Sequence, residues 1–267
     1  MATRSPAINV MVKAAMKATR QLLHDFNEVE QLQVSKKGPA DFVSNADTAA
    51  ENTIVDELKY ARRDYGFLLE EGKEIESKDT LKRRWIIDPL DGTTNFLHGI
   101  PHFAISIALE EEGEIVSAVI YEPTRDELFW AEKGKGAYLN DRRLRVSSRR
   151  NLADSVFATG IPTLRGSDHD FYLKQLEAVM TRCSSVRRLG AAALDLAYVA
   201  AGRYDGYWER GLSPWDIAAG LLIVKEAGGY CTDYRNRDKA IETGEIVAAN
   251  DQVHGKLLKV LRDATKA

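Results

Sequence analysis

Sulfur is scarce in this sequence: 267 residues carry two cysteines, Cys183 and Cys231, and no CxxC pair. Neither a disulfide framework nor a cysteine zinc site can be built from them, which fits a reducing cytoplasm. Long apolar runs are missing as well. The segment Met1-Ala2-Thr3-Arg4-Ser5-Pro6 lacks the apolar stretch of a signal peptide, and nothing later approaches the ~18 apolar residues of a spanning helix. A soluble, cytoplasmic protein with no membrane partner is expected. Internal repeats, low-complexity tracts and Pro/Gly/Ser linkers are absent too. There is little excess charge of either sign: 37 Lys and Arg against 40 Asp and Glu leave −3, so a dedicated nucleic-acid binder with a wholly basic surface is excluded. With 44% hydrophobic and 29% charged residues the chain has the balance of a folded globular protein and not of a disordered one.

What is present divides by texture. Residues 7–30 place Ile8, Val12, Ala15, Met16, Leu22, Leu23 and Phe26 at mostly three- and four-residue steps, which predicts an amphipathic helix ended by Ser35-Lys36-Lys37-Gly38-Pro39. A second helix is expected from Asp47 to Arg62. Short apolar runs follow and predict strands at 67–69, 85–87, 103–109, 115–121 and 128–132, then a hairpin over 136–146 turning at Asn140-Asp141. After Arg150 strands and helices alternate: strands at 156–159, 186–189 and 246–249, helices at 169–182, 192–201, 215–227 and 253–263. This order predicts a layered α+β or α/β protein in two halves, 1–147 and 148–267, forming one catalytic unit.

The chemistry concentrates in Trp85-Ile86-Ile87-Asp88-Pro89-Leu90-Asp91-Gly92-Thr93-Thr94-Asn95-Phe96. An apolar strand delivers Asp88, Pro89 is expected to stop its pairing, and Gly92 lets the backbone turn before a helix start. The N–H groups of Gly92, Thr93 and Thr94 then form a candidate anion cradle. Acids beside an anion site are compatible when cations lie between them, the usual setting of Mg²⁺. The plainer alternative for Asp-Pro-x-Asp-Gly is a turn held by Asx hydrogen bonds. Two further acidic positions favour a metal: Glu70-Glu71 at the end of the run Phe67-Leu68-Leu69, and Asp216 after Ser213-Pro214-Trp215, whose simpler role is a helix cap.

Asp88-Pro-Leu-Asp-Gly-Thr-Thr-Asn-Phe and Trp215-Asp216-Ile-Ala-Ala-Gly resemble the two signatures of the inositol monophosphatase family, Mg²⁺-dependent and lithium-sensitive sugar phosphatases. Asp41-Phe-Val-Ser-Asn-Ala-Asp47, Glu70-Glu71-Gly72, Gly190-Ala-Ala192 and Trp208-Glu209 fall in the family's order, and the likeness is greatest to the bacterial SuhB-like branch. The resemblance implies an α-β-α-β-α layered sandwich, the sugar-phosphatase fold, and two or three Mg²⁺ per site. It implies metal ligation by Glu70, Asp88, Asp91, Asp216 and the main-chain carbonyl of Leu90, with the first of the two adjacent glutamates chosen by motif spacing. It assigns the attacking water to Glu70 and Thr93, with Asp47 polarising the threonine. Substrate contacts are implied at Asp91, Gly92, Thr93, Thr94, Gly190, Ala192, Glu209 and Asp216. Inositol monophosphate, or a related sugar or polyol phosphate, is the implied substrate; relatives act on fructose bisphosphate, histidinol phosphate or nucleotides. Homodimerisation is implied too.

A reading from another class is a regulatory protein binding RNA or transcription machinery through Arg142-Arg143-Leu144-Arg145-Val146-Ser147-Ser148-Arg149-Arg150. Alternation puts Leu144 and Val146 inward and the arginines in solvent, as on an ordinary hairpin edge. Glu209 could equally be a solvated charge at a strand end. Lys36, His98 and His102 are expected to be surface or packing residues, and Gly134-Lys135-Gly136 is a turn without the rest of a P-loop.

Overall fold

A computed structural model describes residues 3–28, 34–36, 42–162 and 169–265, the backbone alone for 34–36 and 42–44. The elements in chain order are α1 (Pro6–Asn27), β1 (Val34–Lys36), β2 (Phe42–Ser44), α2 (Asn45–Ala61), β3 (Gly66–Leu69), β4 (Arg84–Asp91), α3 (Thr93–Leu97), β5 (Ala104–Glu111), β6 (Glu114–Glu122), β7 (Glu127–Glu132), β8 (Gly136–Leu139) and β9 (Arg142–Arg143). After a 3₁₀ turn follow β10 (Val156–Thr159), α4 (His169–Met180), β11 (Ser185–Arg187), α5 (Ala192–Ala200), β12 (Gly206–Arg210), α6 (Pro214–Glu226), β13 (Tyr230–Thr232), α7 (Ala240–Thr243), β14 (Glu245–Ala249) and α8 (His254–Ala264). Lys37, Gly38, Pro39 and Asp41 lie outside the described residues, as does the Lys36 side chain.

Two main sheets divide the chain. Strands β3 to β9 form a seven-stranded sheet in sequence order, and β11-β10-β12-β14-β13 form the second. The first is antiparallel except for the β3–β4 pair; in the second, β10 runs parallel to both β11 and β12. Period-two alternation decides which side each strand residue covers. On β4 to β7, Trp85, Ile87, Ile105, Ile107, Val119 and Trp130 turn toward α1 and α2, whereas Ile86, Ala104, Ala108, Ile120 and Phe129 turn toward α5 and α6. On the second sheet Tyr207, Ile246 and Ala248 face α5 and α6, while Phe157, Trp208 and Val247 face the outer side with α4 and α8. The layers are therefore α1/α2, sheet, α5/α6, sheet, α4/α8, which is the expected α-β-α-β-α order.

The middle layer is nearly all apolar because it is covered on both sides. Every residue of α5 is buried. Gly220 lets α6 approach it closely: a Cβ there would stand 2.5 Å from Leu196 Cβ. Among the described residues no helix is long and apolar enough to cross a membrane.

Candidate active site

The first signature is shaped by a bulge. Asp88 pairs with Ser106 and Asp91 with Ala104, so β4 uses one residue more than β5 over the same stretch. Pairing was expected to stop at Pro89, but it resumes at Asp91; the extra residue absorbs a proline that has no N–H to contribute. The bulge has a chemical consequence. Residues three apart on a regular strand point to opposite faces, and one extra residue returns Asp91 to the side of Asp88. Leu90 N–H donates to Asp88 Oδ1 at 2.9 Å, the Asx bond that the plainer reading anticipated. Gly92 then takes φ +92°, and a Cβ there would lie 3.0 Å from the carbonyl oxygen of His102. That turn opens α3, whose first residues Thr93 and Thr94 are half-buried and exposed.

Asp216 joins this pair from α6. Oxygens of Asp88, Asp91 and Asp216 lie within 4.8 Å of one another. Asp216 also accepts the Ser213 N–H at 2.7 Å as half of a capping box, so one carboxylate serves both the helix cap and the acid cluster. Asp91 is tied to α5 by accepting the Ala193 N–H at 2.7 Å. Burial, followed by the charges of Glu70, Asp91, Asp216 and Asp47, pushes the Asp88 carboxyl well above its ordinary range. Burial and the charge of Asp216 do the same to Asp91, while burial pushes Asp216 up to about 6 against the Ser213 hydrogen bond.

A second acidic group stands beside the first. Asp47, Glu70 and Glu71 bring oxygens within 4.8 Å of one another, so both adjacent glutamates converge, not Glu70 alone. Thr93 Oγ1 is 3.3 Å from Asp47 Oδ2, the acid the family pattern places beside it, and donates to the Leu90 carbonyl oxygen at 2.9 Å. Glu51 was not singled out in the sequence. It is 4% exposed and accepts the Glu71 N–H at 3.0 Å, fixing the end of β3. Its signal was the buried stripe Asp47, Glu51, Ile54, Leu58 at helical spacing on α2.

The expected substrate side is built from the second sheet and α5. Gly190 adopts φ +84° with the Arg188 guanidinium against it, and Ala192 is buried in the first turn of α5. The Glu209 carboxylate sits against Gly160 and accepts the Tyr207 hydroxyl, so it is not a solvated strand-end charge. Burial raises its pKa to about 7, with Tyr207 and Arg188 lowering it and Asp216 raising it. Asp195 is a second residue missed. Its single charge within the apolar run of α5 was the available signal, and one of its oxygens is buried without a hydrogen-bond partner. Asn95, quoted within the signature without a role, donates to the carbonyls of His102 and Leu189 at 2.8 Å each, joining the two signature-bearing halves. His98 is exposed; His102 is buried and held neutral by that burial, its pKa lowered to about 4. Leu144 is buried while Arg143 and Arg145 are exposed, as the alternation predicts.

The sequence profile of the inositol monophosphatase family matches residues 3–266. The chain belongs to the inositol monophosphatase family. It is 57% identical over 259 residues to the inositol-1-monophosphatase of Rhizobium meliloti, covering 97% of each chain. It is 44% identical over 258 residues to the Nus factor SuhB of Escherichia coli, covering 97% of this chain and 96% of that one. The solved structure of the extragenic suppressor protein suhB from Bartonella henselae superposes with a TM-score of 0.94 at 56% identity, covering 97% of this chain and 99% of that chain. An inositol monophosphatase family member of this similarity is an enzyme of that type, and its layered α+β fold is that of its structural neighbours.

Proposed function

We propose that this chain is a Mg²⁺-dependent phosphomonoesterase that hydrolyses inositol monophosphate, or a related sugar or polyol phosphate, to the free alcohol and phosphate. The carrying observation is the convergence of Asp88, Asp91 and Asp216 within 4.8 Å beside the Asp47, Glu70 and Glu71 group. Both groups offer only carboxylate oxygens, the donor set that suits hard cations such as Mg²⁺. Glu70, Asp88, Asp91 and Asp216, with the Leu90 carbonyl, would hold two or three Mg²⁺. When bound, the ions supply the positive charge that screens the phosphoryl oxygens and the acidity that lets water attack at neutral pH.

The chain's own residues then do the positioning. Glu70 and the Thr93 hydroxyl, the latter within reach of Asp47, orient the attacking water and receive its proton. Gly92, Thr93 and Thr94 face the phosphate, and Gly190, Ala192 and Glu209 face the polyol. The halves 1–147 and 148–267 act as one catalytic unit, since Asp91 is anchored on α5 and Asp216 comes from α6. Homodimerisation, lithium sensitivity and a cytoplasmic location complete this reading, supported by the family and by relatives named inositol-1-monophosphatase.

Purified protein assayed with Mg²⁺ against inositol 1-phosphate, fructose bisphosphate, histidinol phosphate and adenosine phosphates tests the substrate. Fastest turnover of inositol 1-phosphate is expected, and a large preference for another ester would replace it. Asp88→Asn is expected to abolish hydrolysis of every ester; retained turnover would remove the carboxylates from the metal role.

A second reading is favoured by the surface. Arg142 and Arg143 are exposed on the edge strand β9, and Arg145 and Arg150 are exposed in the segment that follows, on a chain with relatives named Nus factor SuhB. If this edge binds RNA, affinity should fall steeply with salt and survive Asp88→Asn. Salt-independent or absent binding rejects it.

A further inference from the structure

Helix α2 carries two buried acids one turn apart on the same face, Asp47 and Glu51. Asp47 stands in the acid group with Glu70 and Glu71 and reaches Thr93. The Glu51 carboxylate turns instead to the main chain of Glu70-Glu71-Gly72. Its Oε2 accepts the Glu71 N–H at 3.0 Å, and a Cβ at Gly72 would stand 2.9 Å from its Oε1. Burial raises the Glu51 pKa above its ordinary value, aided by the Glu71 charge, while the N–H groups of Glu71, Gly72 and Glu70 pull it down. A carboxylate set among main-chain amides responds in this way.

Those amides belong to the turn that ends β3, the four-residue edge strand of its sheet, which pairs with β4. Glu70 and Glu71 in that turn bring oxygens within 4.8 Å of Asp47, so like charges push the turn away from α2 until a cation is bound. A lysine on α2 could oppose this push only by pairing with Glu70 or Glu71, in competition with the ion. Glu51 opposes it through the backbone and makes no claim on the two glutamate carboxylates.

We propose that Glu51 is a positioning residue for the metal centre: by gripping the main chain of residues 70–72 from α2, it fixes the Glu70 carboxylate against Asp47 and Thr93. This rests on the Mg²⁺-dependent phosphomonoesterase reading and adds to it a residue that touches neither ion nor ester. Groups that orient a metal ligand from behind are worth about 10–100-fold in metal affinity or activity.

Calorimetric Mg²⁺ titration, thermal melts and turnover of inositol 1-phosphate are compared for the unaltered protein, Glu51→Ala, Glu51→Gln and Leu58→Ala. Glu51→Ala is expected to lower Mg²⁺ affinity by about tenfold or more and to lower kcat, with KM for the ester unchanged. Glu51→Gln keeps one acceptor oxygen for the Glu71 N–H and should recover part of that affinity. Leu58→Ala, two turns further along the same face of α2, removes buried volume but no acceptor, so its melting temperature should fall while its Mg²⁺ affinity holds. Unchanged Mg²⁺ affinity in Glu51→Ala, or an equal loss in Leu58→Ala, overturns the proposal and leaves the phosphatase reading standing. If Glu51→Ala does not fold, Glu51→Gln decides: reduced affinity supports the positioning role, and unchanged affinity rejects it. If the unaltered protein hydrolyses no ester, the phosphatase reading fails and the Mg²⁺ titration alone decides; if it binds no Mg²⁺, both fall.

Discussion

Asn95 shows how much one side chain can tie together. Its amide donates to His102 and Leu189, residues on opposite sides of the chain's change of sheet, and it is buried. Replacing it by alanine leaves two carbonyls without a donor, at a cost of about 1–3 kcal/mol. Asn95→Ala is therefore expected to lower the denaturant midpoint measurably and to reduce turnover, because the Gly190 turn is held by this bond. An unchanged midpoint would show that the two carbonyls find other donors. Residues of this kind were only partly legible. The carboxylates at 88, 91 and 216 stood out because they fall within two long signatures, whereas Glu51 and Asn95 act through backbone partners that no local pattern names.

Elements were legible where periodicity is strong and less so where pairing decides. The helices at 6–27, 45–61 and 214–226 and the strands at 114–122 and 127–132 lie within a few residues of their expected bounds. β13 and α7 were not expected from the sequence, and β4 runs past its proline, because short elements depend on neighbouring strands and bulges more than on propensity. The contact between α5 and α6 depends on Gly220. Gly220→Val would drive its methyls into Leu196 and should cost about 1–3 kcal/mol as an overpacked core. Since Asp216 opens α6 and Ala193 of α5 holds Asp91, turnover is expected to fall as well. A thermal melt and an assay on the same variant check both; full stability and activity would show that the helices can separate without moving the acids.

Across the whole molecule the acid groups make stability depend on pH. Asp216 is raised from 3.8 to about 6 and Glu209 from 4.5 to about 7, so each binds its proton more tightly folded than unfolded. Their contribution is full below the unfolded values and is lost as pH rises through about 6 and about 7. His102 has the opposite sign: lowered from 6.5 to about 4, it contributes above its unfolded value and loses that contribution as pH falls toward 4. Mg²⁺ binds the ionised carboxylates, so it should raise the melting temperature more at pH 8 than at pH 5. Melts with and without Mg²⁺ at both values measure this. An equal or larger shift at pH 5 would place the ion elsewhere.

The sequence by itself determined the composition of each layer, since period-two and helical spacing state which face of a segment must be buried, and it carried both family signatures whole. Only the tertiary structure decided which acids meet. Glu70, Asp88 and Asp216 come from separate segments, and their grouping follows from the β4 bulge, the α5–α6 packing and the capping of α6. Distance along a chain carries no information about proximity until the sheets have formed.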